Sequence, residues 1–198
     1  MMGLPTLYLL RHGETRWNRE GRLQGHLDSP LTEKGGAQAA LMGAILRDEL
    51  GWAPAYRLVS SPLGRAQATA AAVAASLGLA IETDARLAEI DVGAWSGFTR
   101  AEAERDWPEH FQSATELDWF FYAPEGERYG DVRHRMEDWL AALHEPTIAV
   151  AHGLCGKVLR GVYAGLSERE TLQLLEPQDA VFRLRDGTIT ALRHAHTG

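Results

Sequence analysis

Cysteine is nearly absent from this chain: Cys155 is the single thiol in 198 residues. A lone cysteine excludes an intramolecular disulfide and any zinc cluster built on cysteines. Long apolar runs are missing too, and none approaches the ~20 residues that cross a bilayer as a helix. The opening residues Met1-Met2-Gly3-Leu4-Pro5 carry neither the basic segment nor the apolar core of a secretory signal. Positive charge is in deficit, with a formal net charge of -7 at pH 7. A chain of that charge has no overall electrostatic footprint for nucleic acid or an anionic membrane. These absences set the expectation of a cytoplasmic protein with neither nucleic acid nor membrane among its partners. Any anion must be held by a local cluster of arginines in an acidic background.

What is present is ordinary for a globular protein, with 45% hydrophobic and 24% charged residues. A sizeable core therefore needs no disulfide or structural metal. The length fits one domain over 1–198, with 86–130 as an inserted lid lobe of different texture. Residues 6–10 read as a short buried strand that stops at Arg11-His12-Gly13. Residues 11–30 lack an apolar period and are long for a structureless connection, a length usually tied to function. Thr32 reads as a helix N-cap, with Ala37, Leu41, Ala44 and Ile45 as the apolar stripe and Gly51 as the stop.

A second strand, Arg57-Leu58-Val59-Ser60, runs into Ser61-Pro62. Ser61 as N-cap and Pro62 at the first helical position predict an alanine-rich helix ending at Gly78. That places Arg65 in the first turn, where an anion would meet its guanidinium and free backbone N–H groups. Residues 80–83 read as a third strand, 131–143 as an amphipathic helix, and 147–151 as a clean strand ending in His152-Gly153. A helix bearing Leu154, Val158, Leu159 and Val162 follows, and Asp186-Gly187 centres a terminal hairpin. The alternation predicts a three-layer α/β/α fold with a mostly parallel central sheet, one antiparallel edge strand and a small helical and loop lid lobe. That lobe holds Trp95, Phe98, Trp107, Phe111, Trp119, Phe120, Phe121 and Tyr122 without clear periodicity, and most of them read as a satellite core.

Three strands thus end in polar groups: Arg11-His12, Ser60-Ser61 with Arg65 beyond, and His152-Gly153. Carboxyl ends of parallel strands lie on one side of a sheet, so the three can converge. Two guanidinium forks, two imidazoles and a helix N-terminus suit a dianionic phosphoryl group. Each charge-assisted bond contributes about 1.5–3 kcal/mol, enough in sum to hold phosphate in an acidic protein.

The residues Arg11-His12-Gly13-Glu14-Thr15-Arg16-Trp17-Asn18, Gly21 to Gly25 and Asp28 to Thr32 resemble the histidine phosphatase superfamily, in its phosphoglycerate-mutase-like branch. Ser60-Ser61-Pro62-Leu63-Gly64-Arg65-Ala66, Leu87 to Gly97 and Val150-Ala151-His152-Gly153 match its later motifs in order. The resemblance implies that His12 attacks phosphorus and becomes a phosphohistidine, while Arg11, Arg65 and His152 hold the phosphoryl oxygens. It implies phosphate contacts for Asn18 and Gly153, places Gln24 within reach of the pocket, and assigns Glu89 as the acid/base. Asp91 stands close enough to compete with Glu89, Asn18 also suits a turn, and Glu14 reads as a structural acceptor. Cys155 lacks the arginine spacing of a cysteine phosphatase and reads as a small buried residue. His194 and His196 read as a solvated tail rather than a metal site.

The expected partner is a small-molecule phosphate monoester, with no cofactor and no metal, and a homodimer is left open. True mutases of the family carry a longer lobe and more basic residues. The expected activity is therefore a metal-independent phosphomonoesterase. Its alternatives are a phosphoglycerate-mutase-type phosphotransferase and a catalytically inactive phosphate-ester-binding protein.

Overall fold

In the computed structural model, which describes residues 4–51 and 55–193, the strand β1 (Leu7–Arg11) has a neighbour on each side. Its side chains alternate between two cores. Leu7 and Leu9 join one cluster with Met136, Trp139, Val158 and Leu159, while Tyr8 and Leu10 join another with Met42, Leu46, Ala66 and Val73. Both faces are buried, which is why the strand reads as a continuous apolar run rather than an alternating one.

In chain order the helices are α1 (Arg16–Glu20), α2 (Glu33–Leu50), α3 (Gly64–Leu77), α4 (Arg100–Asp106), α5 (Tyr129–Ala141), α6 (Gly153–Ala164) and α7 (Glu168–Leu172). The remaining strands are β2 (Arg57–Ser60), β3 (Ile81–Thr83), β4 (Thr147–Ala151), β5 (Val181–Arg185) and β6 (Thr188–Leu192). They form one six-stranded sheet in the order β3-β2-β4-β1-β5-β6. The first four run parallel, and the terminal hairpin supplies β5, antiparallel to β1, with β6 outermost. α2 and α3 supply the core on one face, and α5 and α6 on the other. Among the described residues no helix is long and apolar enough to cross a membrane.

Local signals explain most boundaries. The Thr32 hydroxyl accepts the Gly35 N–H, and Gly51 closes α2 with positive φ. The expected start of α3 is corrected. Its N-cap is Leu63 without a side-chain cap, and Ser61 lies outside the helix. The Asp28 carboxylate reaches across from the long first loop and accepts the Arg65 N–H at 3.2 Å. Residues 84–128 form short 3₁₀ segments and α4 around a dense aromatic group. Trp95, Trp119 and Phe121 are buried in the main core, and Trp95 stacks on Phe111 at 4.8 Å.

Candidate active site

The register of the central strands delivers the polar residues together. Arg11 lies opposite Ala151, and Ser60 opposite Val150. The chain leaves the sheet in step beyond those pairs: the His12 N–H donates to the Ala151 carbonyl at 3.0 Å, and the Ser61 N–H to the Val150 carbonyl at 2.9 Å. The His12 and His152 rings meet edge to face, 5.1 Å between centroids. A one-residue slip of β1 would exchange its two faces and carry Arg11 and His12 off this edge. Gly13 then passes so close to α2 that a Cβ there would lie 2.2 Å from the Gly35 carbonyl oxygen. No larger residue fits that crossing.

His12 is buried, and its Nδ1 lies 2.8 Å from the Gly13 carbonyl. A carbonyl only accepts, so Nδ1 carries the proton and Nε2 is left with a bare lone pair. Burial, then the guanidiniums of Arg11 and Arg65, hold its pKa well below the ordinary value, so the ring is neutral. His152 is likewise depressed by burial, by His12 and by the same arginines. Its Nε2 meets the Ser61 hydroxyl at 2.7 Å, and that hydroxyl also accepts the Leu63 N–H. Where the Ser61 O–H donates to Nε2, the His152 proton sits on Nδ1. His152 Nδ1 is buried and has no partner.

The two arginines are held differently. Arg65 is almost fully buried, and its fork is not free as expected. Nη1 donates to the Leu27 carbonyl at 2.7 Å and to Asp28 at 3.1 Å, and Nη2 to the Gly25 carbonyl at 2.8 Å. Its Nε, buried and unpartnered, is left together with the second Nη2 hydrogen. Arg11 donates through Nη1 to the Glu176 carbonyl at 2.8 Å, and its Nε is also buried without a partner. Nor does the N-terminus of α3 offer a free N–H at Arg65, since Asp28 has taken it.

Glu89 sits at the start of α6, where its carboxylate accepts the N–H groups of Leu154 (3.2 Å), Cys155 (2.9 Å) and Ile90 (3.1 Å). Its loop is held by Arg135. That guanidinium donates to the carbonyls of Arg86 and Ala88 at 2.7 and 2.9 Å and pairs bidentately with Glu127, whose carboxylate accepts the Asp91 N–H. Asn18 uses Oδ1 twice, accepting from the Thr15 N–H and from Gln178 Nε2, which turns its NH₂ the other way. Gln24 accepts the Thr15 hydroxyl at 3.0 Å. Gly153 is the first residue of α6, and a Cβ on it would lie 2.0 Å from Glu176 Oε2 and 3.4 Å from Arg11 Cζ.

Arg11, His12, Asn18, Gln24, Arg65, Glu89 and Gly153 line one cleft of about 140 Å³, which also holds Arg22, Phe120 and Glu176 but not His152. Asp91 does not line it, which separates it from Glu89. A larger cleft of about 540 Å³, between Thr115–Asp118 and α7, contains none of the strand-end arginines or histidines. Sequence reasoning missed Ser61 as the partner of His152, Asp28 as the partner of Arg65, and Glu176 and Gln178 altogether. Cys155 is buried, and burial raises its thiol pKa, so it is no nucleophile. Glu14 accepts from Thr32 and Lys34 and ties the loop to α2. His194 and His196 lie outside the described residues.

Arginine and histidine side chains are thus gathered where parallel strands of an α/β sheet end. Residues 7–187 match the histidine phosphatase superfamily, branch 1, and the chain belongs to that family. It is 38% identical over 168 residues to a probable phosphoglycerate mutase GpmB of Citrobacter koseri, covering 81% of this chain and 75% of that one. Its fold is similar to the α-ribazole phosphatase of Shigella flexneri, with a TM-score of 0.82, 27% identity and 98% of each chain covered. It is also similar to a mycobacterial glucosyl-3-phosphoglycerate phosphatase solved with VO3, with a TM-score of 0.76, 29% identity and 90% of each chain covered.

Proposed function

We propose that this chain is a metal-independent phosphomonoesterase that works through a phosphohistidine on His12. The observation that carries the reading is a set of three buried nitrogens without partners around His12: Arg11 Nε, Arg65 Nε and, on the neighbouring ring, His152 Nδ1, all three donors when His152 is protonated on Nδ1. An unpaired buried donor costs about 1–3 kcal/mol, so three in one place are built for a ligand rich in acceptors. The N–H of Gly153, at the first position of α6, has no intrahelical partner and adds a fourth donor. A phosphoryl group satisfies all of them, and two guanidiniums supply the positive charge that a loose transition state requires.

His12 Nε2 attacks phosphorus while the bond to the alkoxy oxygen breaks, and Glu89 protonates that oxygen as the alcohol leaves. Glu89 then takes a proton from water, whose oxygen attacks the phosphohistidine and returns Nε2 with its lone pair. Oε2 of Glu89 is the oxygen suited to carry that proton, since it accepts one bond of 3.2 Å while Oε1 accepts two. The Nδ1–H of His12 keeps its bond to Gly13 throughout and steadies the charged ring. Residues 86–130 act as the lid over the leaving group, with Phe120 as the aromatic that reaches the cleft.

The test is an acid quench after mixing with labelled ester. Label is expected on His12 in the wild type, and none on an inert His12→Ala variant; a His12→Ala enzyme that still turns over rejects the mechanism. The name of the Citrobacter relative supports a second reading, a phosphoglycerate-type phosphotransferase. Against it, the additional arginine at the cleft, Arg22, is paired with Glu102 and Glu20 and is not free for a second anionic group. Comparing phosphoglycerate interconversion with phosphate release separates the two.

A further inference from the structure

Beside its arginines the cleft carries two carboxylates, Glu89 and Glu176. They are in different situations. Glu89 already accepts three backbone N–H bonds. The carboxylate of Glu176 accepts no hydrogen bond from any described residue, and the cations nearest it, Arg11 Nη1 and Lys157 Nζ, both stand off at 3.6 Å. Lys157 is directed instead to the Leu172 carbonyl at 3.2 Å.

The position of Glu176 is nonetheless built. Its own carbonyl accepts from Arg11 at 2.8 Å, and the preceding carbonyl, that of Leu175, accepts from the buried Arg160 at 2.7 Å. Arg160 is itself locked over the Phe182 ring at 4.0 Å. Gly153 leaves open the space that Glu176 Oε2 occupies. A carboxylate is thus fixed beside the phosphate clamp with lone pairs unused, an arrangement that favours a hydrogen-bond donor on the ligand.

We propose that Glu176 is a specificity-determining residue that selects esters whose leaving alcohol carries a donor, above all a protonated amine. The same residue rejects leaving groups that bear a carboxylate or a second phosphate, because like charges would meet in a site whose other cations are already engaged. A cleft of about 140 Å³ is well below the size of a drug-like site. The substrate class that this lining favours is an amino-alcohol phosphate. This inference rests on the phosphatase reading above.

The experiment measures kcat/KM for aminoethyl phosphate, phosphoglycerate and p-nitrophenyl phosphate, the last as a donor-free reference. The wild type is expected to favour aminoethyl phosphate over phosphoglycerate by at least about tenfold, the worth of one charge-assisted bond. In Glu176→Gln that ratio is expected to fall about tenfold, and in Glu176→Lys to invert. Because the readout is a ratio, any general loss of activity cancels. A wild type that favours phosphoglycerate, or a ratio indifferent to Glu176→Gln, overturns the inference while leaving the phosphatase reading intact. If neither variant turns over any ester, the wild-type ratio decides alone. A wild type that hydrolyses none of the three overturns the phosphatase reading and this inference with it.

Discussion

Asp28 holds Arg65 at two points: one carboxylate oxygen accepts both the backbone N–H of Arg65 at 3.2 Å and its Nη1 at 3.1 Å. A single side chain therefore caps α3 and aims the guanidinium that α3 carries. The Leu27 and Gly25 carbonyls complete the cage, and Nε is left without a partner.

Loss of that carboxylate should uncouple the guanidinium from its helix. Asp28→Ala is expected to lower kcat/KM about 10–100-fold, the scale of a small misplacement in a preorganised site. It should also cost about 1 kcal/mol of stability as a lost cap. Asp28→Asn keeps an acceptor in the same place and should recover most of both. Steady-state kinetics and urea melts on the two variants check this, and equal losses in both would count against the aiming role.

The Arg135–Glu127 pair offers a different experiment, because it touches no ligand and grips the loop that carries Glu89. Burial alone would raise the Glu127 carboxyl, but Arg135 outweighs it and holds the group below its usual value. Arg135→Met leaves that carboxylate largely buried without its partner, at a cost of about 3 kcal/mol. The expected kinetic signature is a fall in kcat with the affinity for inorganic phosphate unchanged, since Arg11 and Arg65 lie outside the clamp. Equilibrium phosphate binding beside single-turnover rates would reveal any other pattern.

His12 and His152 make stability depend on pH in a fixed direction. Both are held neutral in the fold, while in the unfolded chain each protonates near its ordinary value of 6.5. Below that pH the unfolded state binds more protons than the native state, so the stability present above it is lost as pH falls. The slope reaches about 1.4 kcal/mol per pH unit for each histidine. Denaturant melts between about pH 7 and about pH 5.5 should show the loss, and His152→Gln should remove roughly half of the slope. Phosphate, by binding only the native state, should oppose the decline.

The strand ends were legible in the sequence because their signal is local: an apolar run, then Arg11-His12 or His152, then glycine. The caps at Thr32 and Gly51 were legible for the same reason. Ser61 was misassigned because a serine before a proline looks like an N-cap, whereas Asp28, far away in the chain, supplies the capping bond and frees Ser61 for His152. Glu176 and Gln178 carry no local pattern, and only the return of the chain beside β1 brings them to Arg11 and Asn18. α1, α4 and α7 are too short to show an apolar period, and they are fixed by capping residues such as Thr15 and Thr99 and by tertiary contact.

The place of β4 between β1 and β2 has a consequence for the life of the chain before it is complete. During synthesis the two outer strands of this trio emerge first, each holding its share of the pocket, with nothing yet between them. The residue that must pair with Arg11 is Ala151. Until it arrives, His12 has no Ala151 carbonyl to bind, Ser61 has no imidazole, and Glu89 has no helix to cap. Such long-range closure is slow compared with local pairing. A nascent or prematurely terminated polypeptide lacking this strand cannot assemble the cleft, whose parts come together only when the keystone strand is inserted.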